Sequence, residues 1–215
     1  MVWGIAGFGR SAAVDYFEDV EVRLLRFGSY SPESATGMLD SPIAQDVGDC
    51  DNHAQRSLLL LELPLADAAL KSGATRVFDQ RVQSIEARAK RVIACAPRDP
   101  LFWLVLFGLE VEHGRRDRQA FDLLATSYEI SPHEGWIGLR RMMLTIPIVQ
   151  SVPEPLREQV LSEFQNLIRD KLPDIPARLY LDASASTRAL LQSRIDQLDA
   201  KSQEAFASML QQLQR

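Results

Sequence analysis

Residues 97–132 read PRDPLFWLVLFGLEVEHGRRDRQAFDLLATSYEISP. The run Leu101–Leu109 is apolar almost all round, which suits either a buried strand or a helix enclosed by its neighbours. The residues beyond Leu109 decide between the two. His113-Gly114 is a helix stop and Asp117 a cap, after which Phe121, Leu124, Ala125 and Tyr128 recur at steps of three and four. Pro132 closes that second element. The stretch is therefore expected to be two helices joined by a tight turn.

The flanks carry the same period. Upstream, 53–70 contains RSLLLLELPLADAAL, with Pro64 marking a kink, and Lys71-Ser-Gly-Ala turns the chain. Residues 75–95 then place Val82, Ile85, Ala89, Val92 and Ile93 on one face, with a Glu86–Lys90 pair elsewhere. Downstream, Pro132 restarts a stripe through Trp136, Leu139, Met143 and Leu144. Ser151-Val-Pro-Glu154 reads as a capping box opening a helix with Leu156, Val160, Leu161, Phe164, Leu167 and Ile168 inward. The Pro173/Pro176 segment interrupts, and two last helices come near 185–197 and 200–213, the latter striped by Phe206, Met209, Leu210 and Leu213.

Pro97 and Pro132 stand 35 residues apart, with Trp103, Leu106, Gly108, Ala120 and Leu124 between them. This resembles the tetratricopeptide repeat (TPR), a helix–turn–helix unit of about 34 residues. Trp103 and Leu106 fit one register; Gly108, Ala120, Leu124 and Pro132 fit it after a one-residue insertion, and Val111 stands at the tyrosine position. The resemblance implies an all-α fold of antiparallel helical hairpins stacked as a TPR-like α–α superhelix. It also implies a non-enzymatic interaction or scaffold module whose concave face holds a protein or peptide. The first helix of each pair would line that face, which makes Glu110, His113, Arg140 and Arg141 the candidate binding contacts.

Three segments are expected: an N-terminal amphipathic helix over 1–27, a loop or linker over 28–52, and a helical domain over 53–215. The linker is dense in Gly, Ser, Pro and Asp and has no sustained period. In the first segment, Gly7-Phe-Gly9-Arg-Ser-Ala12 admits a dinucleotide-binding turn, and with it an NAD(P)-dependent oxidoreductase as the alternative reading. Three features weigh against it. The helix after the turn would be about two turns long, too short for a crossover over a sheet. Arg26-Phe27-Gly28 stands where an acidic residue would hold a ribose, and the rest of the chain shows no strand–helix alternation. Val2, Ile5, Gly9, Ala12, Ala13, Tyr16, Phe17, Val20 and Leu24 instead form one helical stripe.

Val2–Gly9 is apolar and uncharged, resembling the tail of a membrane helix, while Tyr16, Phe17 and Leu24 suit a helix docked on the array. Membrane proximity through the N-terminus is thus one expectation, and docking the other. Tetratricopeptide-like proteins so anchored often serve envelope or polysaccharide assembly. The chain is otherwise expected to be soluble, cytoplasmic or periplasmic.

Composition sets outer limits. At 215 residues with 46% apolar content the chain can bury a proper core. A net charge of −5 argues against a general nucleic-acid binder. Arg115, Arg116 and Arg118 cluster, but among Glu110, Glu112 and Asp117 they read as a solvated helix–helix turn. Cys50 is read as a free thiol in the linker and Cys95 as a small core residue. His53, His113 and His133 lack metal-site spacing, and neither a nucleophile elbow nor a phosphate loop is present. Glu110, Glu112, Asp122 and Glu129 have the spacing of solvated helix faces. No catalytic residue, metal or cofactor is expected.

Overall fold

Seven helices start on side-chain caps that the sequence spells out. Ser31, Ser41, Asp51, Asp99, Asp117, Ser184 and Asp199 each accept a hydrogen bond from an N–H two or three residues on. Each thereby satisfies a donor that the first helical turn leaves orphaned. The computed structural model describes residues 16–215, and among these every regular element is helical and none is a strand. The Gly7–Ala12 turn and the apolar Val2–Gly9 segment lie outside the described residues. Two compact units divide the chain, Met1–Gly114 and Arg115–Arg215. The 97–132 stretch straddles that division.

In the first unit, residues 16–25 form α1. It is followed by α2 (Pro32–Leu39), α3 (Pro42–Gln45), α4 (Asn52–Lys71), α5 (Thr75–Cys95) and α6 (Pro100–Glu112). The long pair α4–α5 is a hairpin. Gly73 sits at φ +72° with its N–H on Leu70 O, and the Ala74 N–H reaches Ala69 O. That Schellman closure needs the left-handed backbone glycine adopts freely. α4 is continuous through Pro64 and buried on all sides from Ser57 to Glu62, whereas α5 buries only Val82, Ile85, Ala89 and Val92. The amphipathic α1 docks through Phe17, Val20 and Leu24, and Ser57 Oγ donates to Phe17 O at 3.3 Å. Phe17 and Leu24 are inward as a docked helix requires; Tyr16 is exposed, its ring edge-on to Phe17.

Two expectations for this unit are corrected. Residues 28–52 are not a featureless linker, since α2 and α3 both lie there. Each begins Ser-Pro: serine accepts as the N-cap, and proline at the first helical position gives up an N–H the helix would not use. Cys50 and Cys95 are not a free thiol and a core residue but an exposed disulfide, with Cα atoms 5.5 Å apart. The cysteine at the end of α5 meets the loop before α4, and Arg91–Asp49 pairs beside it at 3.1 Å.

The second unit runs α7 (Arg118–Ile130), α8 (Gly135–Thr145), a 3-10 helix (Ile146–Ser151), α9 (Leu156–Arg169), α10 (Asp174–Asp182), α11 (Ala185–Ile195) and α12 (Ala200–Leu213). α9 is central and packs against α8, α10, α11 and α12. Its stripe Val160, Leu161, Phe164, Leu167 and Ile168 is buried, and Phe164 meets Phe206 of α12 edge-on at 6.0 Å between ring centres. Ser151 does not cap α9. It ends the 3-10 helix, and α9 starts after Pro155 without a side-chain cap. Pro153 favours extended backbone at Val152, ψ 125°, which breaks the geometry a capping box needs. The Pro173/Pro176 segment opens α10 rather than only interrupting, both prolines falling where helical N–H groups have no partner.

Candidate functional site

The four residues picked out from sequence fall in different surroundings. Glu110 is half-buried and His113 exposed, both on the end of α6, where the His113 N–H closes the helix onto Leu109 O and the Gly114 N–H onto Val111 O. Arg140 and Arg141 are neighbours on α8, in the other unit. Successive helix residues point about 100° apart, and these two diverge completely. Arg140 is half-buried, donates to Trp136 O at 2.9 Å and lies over the Trp136 ring at 5.8 Å.

Arg141 is not a groove contact, because it is 0% exposed. Its Nε and Nη2 donate to Glu163 Oε1 at 3.1 and 2.7 Å. Its Nη1 and Nη2 also donate to Ser127 O and Ser131 O, each at 2.9 Å. The guanidinium stacks 4.2 Å from the Tyr128 ring centre, and Tyr128 OH donates to Glu163 Oε2 at 2.8 Å. Burial first, then the Glu163 charge, pushes the Tyr128 phenol well above its usual range, with Arg141 opposing. Both carboxylate oxygens and the guanidinium donors are engaged, so this network holds α7, α8 and α9 together.

The first unit has two further charged clusters. Arg56 links Glu21 of α1 at 2.6 Å to buried Asp99 at 2.6 Å, while Asp99 also caps α6. Glu62, 2% exposed, faces Arg81 at 3.6 Å and Arg88 at 3.7 Å. Burial lowers the Arg88 guanidinium pKa and Glu62 opposes that shift. These are ties between helices, not an assembled set of reacting groups. Among the described residues, no group of three or more His, Cys, Asp or Glu is placed to hold a metal ion, and no helix is long and apolar enough to cross a membrane.

A surface able to hold a ligand lies elsewhere in the second unit. One wall is the outer face of α7, the other the Ser151–Gln159 segment entering α9; between them is an open groove of about 760 Å³. Phe121, Ala125, Pro153, Pro155 and Leu156 give it an apolar floor. Arg116, Arg118, Asp122, Glu129 and Glu154 supply charge around it. Asp117 is occupied in capping α7, and Glu154 pairs with Arg157 at 2.7 Å. A smaller cleft of about 220 Å³ opens between the start of α8 and α9, where Gly135, Gly138 and Glu163 contribute. Its carboxylate already belongs to the Arg141 network.

The groove unites Arg116, Arg118, Asp122 and Glu129, which the sequence offers only as a solvated turn and a solvated helix face. The available signal was their spacing: 118, 122, 125 and 129 recur along one side of α7. The opposite wall, built by two prolines and a 3-10 helix, left no such signal in the sequence.

Fold and groove together define an all-helical protein with an open, charge-rimmed cleft in its second unit. No protein-family model, curated protein or solved structure matches the chain.

Proposed function

We propose that this chain is a non-enzymatic protein-interaction module, built of tetratricopeptide-like helical hairpins, that holds a segment of a partner protein in the groove beside α7. The observation that carries this reading is the groove, because an apolar floor rimmed by charge is the surface chemistry of peptide recognition. Its 760 Å³ lies within the range of about 300–1,000 Å³ for ligand sites. The helical character of every described element and the residues of 97–132 support the repeat reading. Within it, the apolar Val2–Gly9 segment suggests a position beside a membrane, in envelope or polysaccharide assembly, which flotation of the intact chain with liposomes tests.

The test of the module is photo-crosslinking in the native cell. Benzoylphenylalanine replaces Ala125 in the groove or, as a control, exposed Ser208 on α12. A discrete partner band from position 125 and none from position 208 is expected. Indistinguishable patterns from the two positions, or no adduct from position 125, would overturn the reading.

A further inference from the structure

The groove is charged unevenly along its length. At one end stand Arg116, just before α7, and Arg118, its first residue, with Asp117 spent on the helix cap and Asp122 one turn on; three turns along stands Glu129. Among the described residues Arg116 and Glu129 have no ion-pair partner, while Arg118 has only a 3.9 Å contact with Asp122 at the surface. Cationic and anionic groups that a chain leaves unpaired on two ends of one apolar groove present complementary positions for a ligand.

We infer that the groove takes an extended peptide of a partner protein, with an acidic side chain near Arg116 and Arg118, a basic one near Glu129, and apolar residues between them. This rests on the interaction-module reading above. The spacing comes from helix geometry. From Arg118 to Glu129 the α7 axis rises about 16 Å, at about 1.5 Å per residue. An extended chain covers that in about five residues, at about 3.3 Å each. An extended chain of that length sets its two charged ends about five residues apart. Phe121, Ala125 and Leu156 receive the intervening apolar side chains.

Phage-displayed hexapeptide libraries test this with the full chain as bait. Three libraries carry four randomised apolar residues between ends that are acidic and basic in either order, both acidic, or both basic. The wild type should enrich the mixed-end library at least tenfold over the other two. Glu129→Lys should transfer that preference to the doubly acidic library, and the Arg116→Glu/Arg118→Glu variant to the doubly basic one. All these positions are on the surface, and circular dichroism checks that the variants keep their helix content. Enrichment that does not follow the exchanged charges overturns the proposal, as does no enrichment from any library. A retained crosslink from position 125 in either case leaves the module reading standing and removes only the charge order. Loss of both removes the module reading as well.

Discussion

Arg141 Nη2 lies 2.7 Å from Glu163 Oε1 while the same guanidinium holds the carbonyls of Ser127 and Ser131, so one buried cation ties the end of α7 to the middle of α9. Removing it strands a carboxylate whose side chain is only 11% exposed. Arg141→Met should therefore cost about 3–5 kcal/mol, the usual penalty for breaking a buried pair. Arg140→Ala, which loses a hydrogen bond to Trp136 O and a looser contact over its ring, should cost about 1–2 kcal/mol. Urea unfolding separates the two, and equal losses would contradict the assignment. Adding Glu163→Leu to Arg141→Met should recover part of the loss, because an apolar pair leaves no charge stranded.

That network shows where sequence reading stops. Helix caps were legible at Asp117 because an Asp before an apolar stripe has one local explanation. The limits of α5 were legible too, its stripe being bounded by the Lys71–Ala74 turn and Pro97. Arg141 was not, because nothing local distinguishes it from Arg140; its burial is set by Glu163, 22 residues on. Proline misled. At Pro32, Pro42 and Pro176 it belongs to a helix start, where a missing N–H costs nothing, yet each reads as interruption when counted as a breaker. The candidate groove was half visible, one wall in the period of α7 and the other hidden in irregular chain.

Tyr128 gives a pH test of the same network. Its phenol pKa is raised in the folded state, chiefly by burial, so the native state holds that proton longer than the unfolded chain does. The contribution is complete below about pH 10, the unfolded value, and is lost as pH rises through the folded value. Wild-type stability should fall more steeply above about pH 10 than that of Tyr128→Phe, which cannot ionise there. Urea midpoints at about pH 8 and about pH 10.5 bracket the onset. Parallel slopes for the two proteins would refute the coupling.

The Cys50–Cys95 disulfide closes a separation of 45 residues and sits at the surface. A closure of that length should stabilise by about 2–4 kcal/mol, by restricting the unfolded chain. Protein prepared without reductant should show no titratable thiol after denaturation, and dithiothreitol should release both. Cys50→Ser should lower the thermal midpoint of non-reduced protein to that of the reduced wild type. Two free thiols in carefully oxidised protein would exclude the bond.

Gly138 and Gly37 form a matched pair for the last test, since both lie inside helices but meet different neighbours. Exchanging Gly for Ala in a helix interior is worth about 1 kcal/mol through propensity alone. At exposed Gly37 on α2 a new Cβ would have nothing within 4 Å, so Gly37→Ala should approach that gain. At Gly138 the Cβ would come 2.9 Å from Glu163 Oε1. A free carboxylate would swing aside, but this one is held by Arg141 on one oxygen and Tyr128 on the other. Displacing it weakens charge-assisted hydrogen bonds worth about 1.5–3 kcal/mol each, more than the propensity gain. Gly138→Ala should thus be destabilising by about 1 kcal/mol or more and Gly37→Ala stabilising, in the same chemical denaturation assay. A stabilising Gly138→Ala would mean that Glu163 is free to move and that the network does not fix α8 against α9.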